Sequence, residues 1–114
     1  MVANNTQVNC GNPMTSGGHN LEDGNSCGFT APSDVVSEPV LGPLQDNGGF
    51  AHTHALLAGS PAIDAGDNTG CPASDQRGEQ RPIDGDGDGN AICDIGAYEY
   101  QGTVYSLYLP LIRR

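Results

Sequence analysis

The sequence has no lysine and no tryptophan, and its aromatic residues are only two Phe and four Tyr in 114 residues. Four arginines stand against fourteen acids, giving a formal charge of −10. Nucleic acid is held by clustered cations that neutralise phosphates, so this balance excludes nucleic acid as a partner, and docking on anionic lipid headgroups with it. It favours divalent cations instead, although scattered acids also simply keep a surface soluble. No stretch approaches the ~20 apolar residues of a membrane helix, so no membrane span is expected. The start, Met1-Val2-Ala3-Asn4-Asn5, lacks the basic residues and the apolar run of a secretory leader. A secreted form is therefore read as a mature fragment or the end of a longer chain. No G-x-S-x-G, H-E-x-x-H, P-loop or dinucleotide fingerprint occurs.

What the chain does have is turn-forming residues. Seventeen Gly and eight Pro interrupt any long helix, and with 36% hydrophobic residues the core is small. A core of that size calls for covalent or metal staples. Four cysteines, Cys10, Cys27, Cys71 and Cys93, form an even set with no C-x-x-C pair. In a small Gly-rich chain this reads as two disulfides in an oxidising compartment rather than a zinc site. Of the three possible pairings, Cys10–Cys27 with Cys71–Cys93 is favoured, each loop contributing about 3 kcal/mol by chain entropy.

Short apolar spots separated by turns predict β structure throughout. They include Val8, Leu21, Phe29, the run from Val35 to Leu44, and a strand or single helical turn over Ala51–Leu57. A short strand entering a turn is expected over 62–67, mostly loop over 68–90, and the strongest strand signal over 104–112.

The most informative run is Asp84-Gly85-Asp86-Gly87-Asp88-Gly89-Asn90. Acids at alternate positions with intervening glycines let a loop curl until its carboxylates converge, and a divalent cation relieves their repulsion. The spacing matches the first half of an EF-hand loop, including Gly89 at the sharp turn. It departs at the twelfth position, where Ile95 stands in place of Glu. Calcium is thus expected on Asp84, Asp86 and Asp88, with the Asn90 carbonyl and with Asp94 or Glu99 supplying further oxygens. The alternative is an acidic hairpin tip.

His52 and His54 would share a face of a strand, and a structural role bonding loop backbone is favoured over a metal pair. Asp64, Asp67 and Asp75 with Arg77 suggest acid–base chemistry only weakly. They read better as turn-closing carboxylates and an ion-paired arginine. Asn4 heads a glycosylation sequon, Asn4-Asn5-Thr6.

Several segments together resemble a known family. They are Asn20-Leu21 with Asp23, Ser26-Cys27-Gly28-Phe29, and Leu41-Gly42-Pro43-Leu44-Gln45-Asp46-Asn47-Gly48-Gly49. They continue with Thr53-His54-Ala55-Leu56-Leu57, Gly59-Ser60-Pro61-Ala62-Ile63-Asp64-Ala65-Gly66-Asp67, Cys71-Pro72-Ala73, Asp75-Gln76-Arg77-Gly78 and Cys93-Asp94-Ile95-Gly96-Ala97-Tyr98-Glu99. In order and spacing, over residues 9–99, they resemble the choice-of-anchor Q C-terminal region of secreted bacterial right-handed parallel β-helix proteins. The tail Tyr108-Leu109-Pro110-Leu111-Ile112-Arg113-Arg114 is similar to the C-termini of bacterial surface proteins. The resemblance implies an extracellular or cell-surface location and no catalytic residue.

The expected fold is all-β. It is a short right-handed parallel β-helix-like module over residues 1–102 with long loops, followed by a C-terminal strand over 103–114. The expected role is structural, with self-association through open β ends and residues 104–112. Two other readings stay open. One is a carbohydrate- or partner-binding module with a glycan as ligand. The other is a fragment of a β-helix polysaccharide lyase using the acids, calcium and Arg77 or Arg81, although Phe29 and Phe50 are isolated and make no sugar platform.

Overall fold

The computed structural model describes residues 1–102; the strand expected over 103–114 lies outside the described residues. Those residues are almost wholly strand, turn and loop. The elements are β1 (Leu21–Glu22), β2 (Val35–Val36), β3 (Leu41–Gln45), β4 (Thr53–Leu56) and a single 3₁₀ turn over Asn68–Gly70. The all-β class holds at this level. The strands form two separate two-stranded sheets, and these do not close into the coils of a β-helix.

The first sheet is parallel. Leu21 faces Val35 and Glu22 faces Val36 across β1 and β2, and Val2 adds an isolated parallel bridge to Glu22. Backbone bonds from Val2 N to Leu21 O at 2.9 Å and from Val35 N to Asn20 O at 2.8 Å hold these short rungs side by side. Two residues per rung cannot support a sheet alone. The buried Glu22 makes good the shortfall. Its carboxylate accepts the Ser26 N–H and hydroxyl, the Cys27 N–H and the Asn9 amide, gathering the loop beyond β1 around one acid. Burial raises the Glu22 pKa, but these donors outweigh it and hold the group below its ordinary value. The Cys10–Cys27 disulfide closes the same loop, and the second disulfide joins Cys71 to Cys93, which is the pairing favoured from the sequence.

The second sheet is an antiparallel hairpin of β3 and β4, pairing Leu44 with His54 and Gln45 with Thr53. Between Leu41 and Leu44 the register shifts, at Gly42-Pro43. Proline has no N–H for a ladder, so a bulge is where a strand tolerates it. The stretch Ala51–Leu57 resolves as strand rather than helical turn, with Thr53, Ala55 and Leu56 turned inward. Residues 62–67, expected as a short strand running into a turn, form turns without the strand. The Ile63 N–H bonds Ser60 O and the Ala65 N–H bonds Ala62 O, spacings that curl the chain. Ser60 starts this curl by donating its hydroxyl to the Pro39 carbonyl.

Leu21, Leu56, Ala62 and Ile95 form the buried apolar cluster, with Val35, Leu41, Ile63, Ala65, Tyr98 and Tyr100 packed against it. Gly66 lets the C-terminal half close on this core. Its N–H meets Cys93 O at 2.7 Å, and a Cβ there would lie 2.6 Å from Cys93 O and 3.0 Å from Asp94 O. Because these obstacles are backbone atoms, Gly66→Ala is expected to destabilise the fold by about 1–3 kcal/mol, the usual range for overpacking. Chemical denaturation of the variant checks this; an unchanged midpoint would show that the close approach is not a constraint.

Candidate functional site

The acidic run folds into a tight loop that bonds to itself. The Asp84 carboxylate accepts the N–H groups of Gly87, Asp88 and Gly89 at 2.8–3.2 Å. Asp86 accepts the Asp88 N–H, and Asp88 accepts the Asn90 N–H. Each of these last two aspartates bonds the amide two residues on, while Gly87 and Gly89 take φ of 78° and 91°, which costs a glycine nothing. The Gly89 N–H above all, then those of Gly87 and Asp88, keeps Asp84 below the ordinary carboxylate range.

Asp64 joins this loop from 20 residues upstream of Asp84 in the sequence. Its backbone sits at φ 56°, a left-handed turn that aspartate tolerates better than most residues. That turn aims its carboxylate at the loop, where it accepts the N–H groups of Gly85 at 3.3 Å and Asp86 at 3.0 Å. Asp64, Asp84 and Asp86 thereby bring one oxygen each to within 4.8 Å of one another. Such spacing suits a common ion about 2.3–2.6 Å from each oxygen. Burial first, then the neighbouring Asp86 carboxyl, pushes the Asp64 pKa up to about 6.

The expected ligands are therefore divided. Asp84 and Asp86 come together, while Asp88 and Asn90 stay on the exposed rim of the loop. Asp94 lies elsewhere. It is 3% exposed and forms a second carboxylate group with Asp64 and Glu99, again within 4.8 Å. Its oxygens accept the Asp64 N–H at 2.7 Å and the Tyr100 N–H. Burial, followed by the charges of Glu99 and Asp64, pushes its pKa up to about 7. Asp64 belongs to both groups and links them. Its sequence signal is an acid between apolar Ile63 and Ala65, which pack half-buried against the core and draw the acid between them out of full solvation.

Behind the carboxylates lies an ion-paired wall. Arg81 donates to Glu99 Oε1 at 2.8 Å and to the carbonyls of Asp94 and Gly96. Glu99, fully buried, also accepts the N–H groups of Ile83 and Asp94. Arg77 grips Asp75 Oδ2 through two nitrogens at 2.8 and 3.1 Å, donates to Glu99 O, and lies 3.7 Å from the centroid of the Tyr98 ring. Burial raises Asp75, but bonds from Glu99 N–H and Arg77 prevail and hold it low. Arg77 is thus ion-paired, as expected from the sequence, and the structure supplies Asp75 as its partner.

Asp67 closes a turn by accepting the Thr69 N–H at 2.9 Å and caps the 3₁₀ segment. His54 bonds the Gly42 carbonyl through Nδ1, while His52 lies outside β4, and the carboxylate groups able to hold a metal include no histidine among the described residues. Asn4 is exposed, with its backbone N–H held by Asp23. Among the described residues no helix is long and apolar enough to cross a membrane. Compared with protein-family models, with curated proteins and with solved structures, the chain matches none.

Proposed function

We propose that the chain is a non-enzymatic structural module of the bacterial cell surface, stapled by two disulfides, stabilised by calcium, and joined edge to edge to further β structure. The observation that carries this reading is the open parallel ladder. Val2, β1 and β2 lie side by side, and among the described residues neither flank is paired to another strand. Unpaired flanks present N–H and C=O groups that template a further strand. Stacked parallel rungs are also the geometry that a right-handed parallel β-helix would continue, in keeping with an end module of choice-of-anchor Q type. Both disulfides suit an oxidising, extracellular compartment.

Calcium occupies the Asp64, Asp84 and Asp86 group in this reading, with Asp88 and the Asn90 carbonyl at its rim. A non-catalytic role is supported by the arginines. Arg77 and Arg81, which a lyase would turn toward an acidic sugar, are engaged by Asp75 and Glu99 and only 6% exposed.

Self-association follows through the open ladder and residues 104–112, one copy adding a strand to the next. Two unlike ends in contact propagate as a filament unless the rotation closes a ring. Sedimentation and electron microscopy of the full chain and of a form lacking residues 103–114, both with calcium, test this. The full chain should assemble with rising concentration and the truncated form should remain monomeric. A full chain that stays monomeric at high concentration contradicts the proposal.

A further inference from the structure

Beside the acidic loop lies a groove of about 420 Å³. Ala58, Ile63 and Tyr100 make its wall, and Gly85 and Asp86 its rim. Ala58 is exposed and Ile63 and Tyr100 are half-buried, so apolar surface stays open along the wall. Gly85 seats the loop against that wall: a Cβ there would lie 2.8 Å from Ile63 Cγ2 and 3.3 Å from Tyr100 Cδ2. The apolar wall therefore runs straight into the carboxylates of Asp84 and Asp86, with Asp64 bonded to the Gly85 and Asp86 N–H groups behind them.

Charge and chain continuity select one occupant. Residues 103–114 begin three residues past Tyr100 and contain no acid. They run from the apolar and aromatic stretch Val104 to Ile112 into Arg113 and Arg114. A wall that passes from apolar surface to carboxylates complements a segment that passes from apolar side chains to guanidinium groups. The sequence has no lysine, and Arg77 and Arg81 are held in buried pairs with Asp75 and Glu99, so Arg113 and Arg114 are the arginines left to answer the acidic loop. Eleven residues separate Gly102 from Arg113, each adding up to about 3.3–3.6 Å, which brings the guanidinium to the acidic rim with chain to spare. Tethered beside the groove, the segment has an effective concentration there of the order of millimolar.

We infer that without calcium residues 103–114 occupy this groove of their own chain, with Arg113 and Arg114 against the acidic loop, and that calcium displaces them, a regulation that rests on the calcium and strand-adding roles proposed above. Calcium takes oxygens of Asp64, Asp84 and Asp86 at about 2.3–2.6 Å and cancels the charge that holds the guanidinium groups. The displaced segment is then available to the next copy, so assembly begins when calcium arrives. The coupling is reciprocal: the factor by which calcium weakens docking is the factor by which docking weakens calcium binding.

Calorimetric titration of the full chain with calcium tests this, at a temperature where circular dichroism shows the chelated protein folded. Arg113→Gln with Arg114→Gln, and separately Leu109→Ser with Leu111→Ser, should each tighten calcium binding about fivefold or more. The serine pair keeps the net charge, so its effect reports docking rather than long-range attraction. In dilute solution, where sedimentation shows monomers, chymotrypsin should cut at Tyr105 and Tyr108 about fivefold more slowly with chelator than with calcium. Cleavage at the fully exposed Phe50 serves as the reference. Both variant pairs should abolish the difference. Calcium affinity unchanged by the serine pair, or cleavage of the segment equal with calcium and with chelator, would overturn the inference and leave the calcium site standing. No calcium uptake by any of the three forms would overturn the calcium site and this regulation together.

Discussion

Arg81→Ala is expected to remove about 3–5 kcal/mol of stability, the cost of leaving a buried carboxylate without its counter-charge. Glu99 is completely buried, and Arg81 is its only cationic partner within salt-bridge distance among the described residues. The same guanidinium also donates to the carbonyls of Asp94 and Gly96, of which that of the buried Asp94 would lose its donor together with the acid. A domain of this size commands about 5–15 kcal/mol in total, so the variant should lose a large share of its stability and melt at a much lower denaturant concentration. Glu99→Gln should cost less, about 1–3 kcal/mol, because an amide oxygen can still accept one of the N–H groups of Ile83 and Asp94. The double variant should cost clearly less than the sum of the two, since each single change already breaks the shared pair. Urea denaturation of the three variants reads this directly. Additive effects would show that the pair contributes no coupling and that the wall behind the acidic loop is passive.

Stability in the presence of a chelator is expected to peak in mildly acidic solution and to fall as the pH rises toward 8. Two opposing sets of acids produce the peak. Asp64 and Asp94 have folded-state values raised from 3.8 to about 6 and about 7, so the folded protein holds protons that the unfolded chain releases. Their contribution is complete below about pH 4 and is lost as the pH climbs through 6 and 7. Glu22, Asp34, Asp75 and Asp84 are held below their ordinary values, so their contribution is present at higher pH and lost on acidification. Melting temperature across pH 3–9 with chelator checks the sign. A melting temperature that rises steadily to pH 8 would mean that Asp64 and Asp94 are ionised in the folded protein without a cation.

The parts of this design that were legible in the sequence are the local ones. The disulfide partners lie 17 and 22 residues apart, and the acidic loop is built from aspartates that bond amides two to five residues on. Strand β4 was visible as a strand or a turn, and the hairpin register decided between them. The hidden parts are contacts across 20 residues or more that leave no periodic trace. Asp64 reaches the loop from 21 and 22 residues away, and Asp94 reaches back 30 residues to the Asp64 N–H. Asp94 follows Cys93 and precedes Ile95, both buried, so its inward direction could have been read from its neighbours. Residues 62–67 read as a short strand running into a turn, yet backbone bonds from Ile63 to Ser60 and from Ala65 to Ala62 make the whole stretch curl. The parallel rungs escaped any pattern argument because two residues are too few to show a period.

The most direct test of a cation-stabilised module is the melting temperature at pH 7.5 with calcium and with chelator, for the native chain and for Asp64→Asn. Ligand at about a hundredfold excess over its dissociation constant adds about 2.7 kcal/mol. For a domain near 100 residues that is roughly 10–20 °C. A rise of that order is expected in the native chain, and a much smaller one in Asp64→Asn because the variant lacks the carboxylate shared by both acid groups. Superimposable melting curves with calcium and with chelator for the native chain would contradict it.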